Sequence, residues 1–417
     1  MAGSVSKVVI AGAGLAGFQV GASLREMGYE GRIVVVGEEP FLPYNRPPLS
    51  KGYLMGSTDA DKLALRPERF YADKKIEVHT GRRIVALDRG HHRAALDDES
   101  VLDYDHFVFA VGARNRALPV RGADLRGVYY LRTLAEAQAL RPALAAARNA
   151  VVIGAGFIGL EFAAVAAKLG LSVTVIEAAE RPMARALSPD MAGIFTRVHE
   201  RSGIRFMFNS QVLHLDGPAG MVSAVTTVAG ERVPADIVVI GIGVQPNVEV
   251  AAAADLEVRN GIVVDSRLRT SDPDVSAAGD CAAHPNRYAE GAVIRLESVQ
   301  NATDQGRCVA SGILGKGVDY VSIPWFWSDQ GELKLQIAGL TQGFDQVAVR
   351  GDAAGTSCST FCFKQGQLLG VESVNRPADH MVARRLLTLH LPLTAAQAAD
   401  EQFDLKAHLA REMTPAA

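Results

Sequence analysis

The decapeptides VVIAGAGLAG (residues 8–17) and VVIGAGFIGL (residues 151–160) are two copies of one pattern, and their reading decides the fold. Each opens with a β-branched apolar run, suited to a strand buried on both faces, and passes directly into G-x-G-x-x-G. An Ala-rich helical pattern follows, FQVGASLREMG in the first copy and EFAAVAAKLG in the second, and then another buried-strand run, GRIVVVGEE or LSVTVIEAAE. Strand, glycine turn, helix and strand in that order make a βαβ unit of the dinucleotide-binding kind. In the first copy Gly12 permits the tight turn, Gly14 lets the backbone approach a pyrophosphate, and Gly17 permits close helix packing. Gly154, Gly156 and Gly159 occupy the same places in the second. The helix start then offers amide donors and a positive dipole end to the phosphates.

An acid closes each unit. Glu38 and Glu177 stand at the end of the second strand, where a carboxylate accepts hydrogen bonds from ribose hydroxyls. A carboxylate at 177 repels the 2′-phosphate of NADP, so NADH is expected over NADPH, with Arg181 the nearby cation able to answer that phosphate. A third motif, TSDPDVSAAGDCA (270–282), delivers Asp280 to a loop beside a helix. There it suits a polyol such as a flavin ribityl chain, or serves as a helix N-cap.

Between the copies, VLDYDHFVFAVGARNRALP (101–119) reads as strands leading to a glycine loop at Gly112, where one domain hands over to the next. ADIVVIGIGVQPNVEV (235–250) repeats that signature and marks a return near Gln245. From PWFWSDQ (324–330) onward the chain alternates strand-like stretches, STFCFKQGQLLGVESVN among them with its Gln-Gly turn, before closing in helical patterns. The expected architecture is α/β: two Rossmann-like dinucleotide-binding domains plus a C-terminal α+β domain. A discontinuous FAD-binding domain is expected over 1–113 and 245–323, an NADH-binding domain over 114–244, and the C-terminal domain over 324–417.

At 417 residues with 48% hydrophobic content, the chain can bury sizeable cores. A net charge of −3 leaves no electrostatic footprint for nucleic acid. The four cysteines, Cys281, Cys308, Cys358 and Cys362, form no C-x-x-C pair, and no His/Cys cluster has metal-ligand spacing, so no metal and a reducing cytoplasm are expected. The longest apolar run, VVIGAGFIGLEFAAVAA from Val151, contains Glu161 and falls short of the roughly 20 residues that span a bilayer. No signal peptide and no membrane association are expected, and the chain is expected to be a monomer or weak homodimer.

The quoted motifs, together with RPPLSK (46–51), YLRTLAEA (130–137), GAGFIGLE (154–161), AGDCA (278–282) and ESVQNA (297–302), run essentially end to end. In them the chain resembles flavoproteins of the glutathione-reductase type, and most closely the NADH-dependent ferredoxin reductases that serve bacterial Rieske oxygenases and cytochromes P450. The resemblance implies FAD contacts at Ala16, Glu38, Arg46, Lys51, Ile84, Arg132, Asp280 and Val299, with Gly12, Gly14, Leu15, Gly17 and Ala110 in the same set. It places Trp327 beside the flavin on the side from which ferredoxin approaches. It implies an NADH site of Gly154, Gly156, Phe157, Ile158, Gly159, Glu161, Glu177 and Gly243. Plainer roles stand beside these: Ile84 and Val299 as core, Arg132 as a helix cap, Trp327 as a buried aromatic. Lys51 by itself reads as a solvated lysine in a helix turn capped by Ser50. The resemblance instead brings it to flavin N5, paired with Glu161, as the catalytic pair.

PYNRPPLSKGYL (43–54) carries no cysteine where disulfide reductases of this fold type place a redox thiol. Cys281 has no neighbouring partner, and Cys358 and Cys362 lie in a strand-like run. The resemblance therefore implies electrons leaving singly to a [2Fe-2S] ferredoxin that feeds a P450 or Rieske oxygenase, with Arg307 a candidate for a basic docking patch. NADH oxidase-like, CoA-disulfide-reductase-like and apoptosis-inducing-factor-like flavoproteins are the alternatives on the same fold.

Overall fold

The computed structural model describes residues 5–218 and 220–414. The chain folds into two compact units. One contains residues up to Asn45 with Asp61–Arg114 and Gln245–Pro324; the other contains Arg46–Ala60, Asn115–Val244 and Trp325 onward.

The first unit is built on a parallel five-stranded sheet in the order Ile76–Thr80, Arg32–Gly37, Lys7–Ala11, His106–Phe109, Val275–Ala277. Its central strands read KVVIA and RIVVVG because both of their faces are buried, which removes the alternation a half-solvated strand would show. The helices Leu15–Glu26 and Val299–Ile313 cross closely at Gly306. A Cβ there would stand 2.8 Å from the Cβ of Gln19 and 3.0 Å from the carbonyl of Ala16.

The second unit repeats the theme with the parallel order Ile204–Met207, Ser172–Ile176, Asn149–Ile153, Ile237–Ile240, Val128–Tyr129. It also holds an antiparallel sheet of Trp325–Gln330, Leu333–Gly339, Gln367–Val374, Ser357–Lys364 and Gln346–Asp352, with the helix Pro377–Leu389 packed on it. The Gln-Gly pair turns its central hairpin with both residues left-handed, Gln365 at φ 51° and Gly366 at φ 76°. That geometry matches the twist of the flanking strands, so two residues suffice. This is the α/β architecture of two dinucleotide-binding folds with an added α+β element. No helix among the described residues is long and apolar enough to cross a membrane.

Candidate cofactor sites and a buried ion pair

Each glycine of the first turn meets a different environment. Gly12 sits at φ 110°, and a Cβ there would lie 2.1 Å from the Ala110 carbonyl oxygen. Gly17 packs its α-carbon so closely that a Cβ would meet the Gly12 carbonyl at 2.0 Å. Gly14 is at an ordinary φ of −77°, and a Cβ would find nothing within 4 Å. Its smallness answers no demand of the protein itself, as expected of a position kept clear for a ligand. Gly154, Gly159 and Gly156 repeat the series, with nearest approaches of 2.5, 2.3 and 3.8 Å.

The helix starts agree. Thr133, Ser188, Ser298, Thr394 and Asp404 each cap a helix by accepting a backbone N–H on their side chains. The two helices after the glycine turns, capped by Gly14 and Gly156, have no such side-chain bond. First-turn amides at Leu15 and Ala16, and at Phe157 and Ile158, are therefore not taken by a side-chain cap, and beside the open space at Gly14 and Gly156 this suits a pyrophosphate. Ile158 is exposed there, an apolar side chain at the open end of its helix. The residues fit one dinucleotide in each unit.

The acids differ. Glu38 is mostly exposed and lies 3.8 Å from Arg83. Glu177 accepts from the Ala155 N–H at 2.6 Å and the Ala179 N–H at 2.8 Å, which fixes its carboxylate against the glycine turn. Arg181 donates to the carbonyls of Leu187 at 2.8 Å and Ala184 at 3.1 Å, so its guanidinium is engaged with its own loop. Gly243, exposed at φ 97°, follows the strand Ile237–Ile240 and faces the Arg185 guanidinium.

Several plainer expectations are corrected. Ser298, not Asp280, caps the helix Val299–Ile313; Asp280 lies in a short helical turn, Gly279–Cys281, whose Gly279 N–H is held by Gln305 at 2.7 Å. Thr133, not Arg132, caps Leu134–Ala146 through a reciprocal box with Glu136. The Arg132 carbonyl accepts from Arg46 at 3.4 Å. Ile84 is buried in a small antiparallel sheet, while Val299 is half-buried in the first turn of its helix. Trp327 is half-buried on the strand Trp325–Gln330, with its ring 5.6 Å from that of Trp325. Arg307 is exposed but paired with Asp304 at 3.6 Å.

Ser50 caps nothing. In the single wide turn Leu49–Tyr53, the backbone departs from helical values at Lys51, φ −129° and ψ −106°. The Ser50 hydroxyl donates to Glu161 Oε2 at 2.5 Å, and Lys51 Nζ pairs with the same oxygen at 2.6 Å. Lys51 is therefore not a freely solvated lysine. Glu161 is 2% exposed, and its other oxygen accepts from the Ser328 hydroxyl at 2.7 Å. A carboxylate so buried requires such donors, and removing one partner of a buried pair typically costs about 3–5 kcal/mol. Composition gave no signal for Ser328; only its place in PWFWSDQ marked that segment.

All four cysteines are free thiols. Burial raises the Cys281, Cys308 and Cys358 thiols to about 11 and pushes Cys362 higher still. Cys281 is fully buried, its Sγ against the carbonyls of Ala278 and Phe109 at 3.4 and 3.6 Å. Thiols held protonated in this way are poor nucleophiles.

Comparison with known proteins agrees with this geometry. Residues 6–306 match the family model described as pyridine nucleotide-disulphide oxidoreductase, and residues 325–409 the model described as reductase C-terminal. The chain is 52% identical over 404 residues to rhodocoxin reductase of Rhodococcus erythropolis, an alignment covering 97% of this chain and 94% of that protein. It is similar to the crystal structure of the ferredoxin reductase for the CYP199A2 system from Rhodopseudomonas palustris, with TM-score 0.95, 49% identity and coverage of 97% and 100%. It is also similar to the reductase in the covalent putidaredoxin reductase–putidaredoxin complex, with TM-score 0.95, 38% identity and coverage of 98% and 99%. The chain belongs to the pyridine nucleotide-disulphide oxidoreductases, which use FAD and NAD(P)H, and within them to the ferredoxin reductases that carry the reductase C-terminal domain.

Proposed function

We propose that this protein is an NADH-dependent flavoprotein reductase that delivers electrons one at a time to a [2Fe-2S] ferredoxin serving a cytochrome P450 or Rieske oxygenase. The observation that carries the reading lies in residues 43–54. Where a thiol relay would need cysteine, the segment presents Lys51 ion-paired to buried Glu161 at 2.6 Å, and the four cysteines are free, with thiols held protonated. Bound FAD supplies the chemistry, accepting a hydride and releasing electrons singly. The solved complex of a relative with putidaredoxin supports an iron-sulfur protein as the acceptor.

In this reading the FAD set is Gly12, Gly14, Leu15, Ala16, Gly17, Glu38, Arg46, Lys51, Ile84, Ala110, Arg132, Asp280, Val299 and Trp327. The NADH set is Gly154, Gly156, Phe157, Ile158, Gly159, Glu161, Glu177 and Gly243. The FAD-binding domain spans 1–113 and 245–323, the NADH-binding domain 114–244 and the C-terminal domain 324–417. Lys51 supplies a fixed positive charge that stabilises the reduced flavin, an electrostatic contribution rather than proton transfer. The engaged guanidinium of Arg181 and the fixed carboxylate of Glu177 favour NADH.

The test is NADH-driven cytochrome c reduction with and without a panel of [2Fe-2S] ferredoxins. Stimulation by at least one ferredoxin, weakening as salt rises, is expected because exposed charges are screened beyond about 10 Å at 0.1 M. Strong oxygen consumption with no stimulation by any ferredoxin would instead make the protein an oxidase.

A further inference from the structure

The Glu161 carboxylate is the end of a longer buried chain. Ser328 Oγ donates to Glu161 Oε1 at 2.7 Å, Gln330 Nε2 donates to Ser328 Oγ at 3.1 Å, and Gln330 Oε1 meets His199 Nε2 at 2.9 Å. Ser328, Gln330 and His199 are 0, 1 and 2% exposed. They come from two elements. Ser328 and Gln330 share one face of the strand Trp325–Gln330, two residues apart, and His199 projects from the helix Pro189–Arg201 between the rings of Phe195 and Phe206.

Donor chemistry sets the direction of every link. An ionised carboxylate only accepts, so the single Ser328 hydroxyl proton is used on Glu161 and its lone pairs must receive a proton from Gln330. The Gln330 amide therefore turns its nitrogen to Ser328 and its oxygen to His199, whose Nε2 must carry a proton, as the neutral Nε2–H tautomer does. Burial agrees, holding His199 below its ordinary range against the opposing effect of its bond to Gln330. Reversing the amide would turn the Ser328 proton toward Gln330 and leave Glu161 Oε1 without that donor. The donors thus all point one way, from His199 through Gln330 and Ser328 to Glu161, and Lys51 and Ser50 close on its other oxygen.

We propose that His199, Gln330 and Ser328 are positioning residues that hold the Glu161 carboxylate in its orientation, and through it fix the Lys51 ammonium that assists flavin reduction. The inference rests on the role given to Lys51 above. Three adjoining polar groups in an apolar interior are costly unless each is satisfied; here the Ser328 proton ends on the carboxylate, and Gln330 Nε2 also approaches Met183 Sδ at 3.6 Å.

The experiment uses the FAD-loaded full chain and reads two quantities, the stopped-flow rate of flavin reduction by NADH and the flavin midpoint potential. Ser328→Ala is expected to slow reduction about tenfold, the weight of one hydrogen bond to a charged group, and to make the potential more negative. In a Glu161→Gln background the same change should add less than about twofold, because the chain then has no carboxylate to orient. Losses that multiply in full in that background, or a Ser328→Ala protein with wild-type rate and potential, overturn the chain. Should Ser328→Ala fail to fold, His199→Leu and His199→Gln make the same comparison. Leu should slow reduction and Gln, which keeps an N–H donor, should restore most of the rate; equal rates for the two would refute the role of His199. Unchanged bleaching in Lys51→Met would remove the underlying reading itself, whereas a slow Lys51→Met beside a normal Ser328→Ala would remove only the chain.

Discussion

Gly156→Ala and Gly159→Ala add the same methyl group three residues apart, and their consequences should diverge completely. Gly156 has φ −78° and ψ −179°, values open to alanine, and the nearest atom to its new Cβ is the Gly241 carbonyl at 3.8 Å. Alanine is a poorer N-cap than glycine by up to about 1 kcal/mol, but a less flexible unfolded chain returns about 0.4–1 kcal/mol, so the net effect on stability is close to zero. At Gly159 the methyl would stand 2.3 Å from the Gly154 carbonyl oxygen, a backbone atom that yields only if the turn moves. The roughly 1 kcal/mol of helix propensity gained there is smaller than an overpacking cost of about 1–3 kcal/mol, and the protein loses stability. Cofactor affinity should follow the opposite order of cleanness. The Gly156 methyl occupies only the space in front of the first-turn amides, and losing one charge-assisted bond to pyrophosphate, about 1.5–3 kcal/mol, raises the KM for NADH about tenfold to a hundredfold. Thermal unfolding and NADH titration kinetics on the two holoenzymes make the comparison. The reasoning fails if Gly156→Ala unfolds as early as Gly159→Ala, or if it folds normally and binds NADH as before.

Three further outcomes follow from the structure. With Arg181 engaged by two carbonyls and Glu177 fixed on the glycine turn, kcat/KM should favour NADH over NADPH by at least about tenfold, the effect of one unfavourable charge contact; a preference for NADPH would contradict it. Thiols raised to about 11 leave about one in ten thousand ionised at pH 7, so iodoacetamide at neutral pH should not diminish NADH-dependent ferredoxin reduction, and rapid inactivation would point to a thiol in the electron path. His106, buried against Ser276 at 2.9 Å, has its folded value lowered from 6.5 to about 4, so the fold holds it neutral. Its contribution is intact above pH 6.5 and is lost as pH falls toward 4; by pH 4.5 urea unfolding should show roughly 2–3 kcal/mol more loss in wild type than in a folded His106→Gln variant, and equal losses would refute it.

The parts of the fold that were legible in the sequence are those where a local rule and the tertiary demand coincide. The glycine turns announce themselves because strand, turn and helix are contiguous, and the Gln-Gly hairpin because two left-handed residues are a local requirement. Ser50 shows where that stops. A serine before a turn reads as a cap from local rules alone, yet its hydroxyl is taken by Glu161, 111 positions away. His199, Gln330 and Ser328 lay further out of reach, because each is an ordinary polar residue in its own segment. What makes them a chain is that a strand beginning at Trp325 lies against helices beginning at Phe157 and Pro189, and periodicity carries no information about such pairing. Arg181 shows the same limit: spacing leaves open whether it reaches a ribose, and only the fold shows its guanidinium donating to the loop carbonyls of Ala184 and Leu187.

The two copies of the dinucleotide motif also differ in a way that matches their proposed occupants. Both supply a glycine turn, an uncapped helix start and a closing glutamate, so local physics alone would make them equivalent sites. Glu177 is held by two backbone N–H groups, whereas Glu38 is 71% exposed and lies 3.8 Å from Arg83. Ordering a glutamate side chain costs about 1 kcal/mol or more of rotamer freedom, a cost incurred each time a ligand binds and recovered when it leaves. For a resident FAD that cost is met once and is small beside a large buried contact. NADH must bind and depart at every turnover, so a ribose acceptor already fixed in place yields affinity without a recurring entropic cost. The difference between a held and an exposed carboxylate fits the proposed exchange of NADH at the second site and residence of FAD at the first, a distinction that the shared glycine pattern does not make.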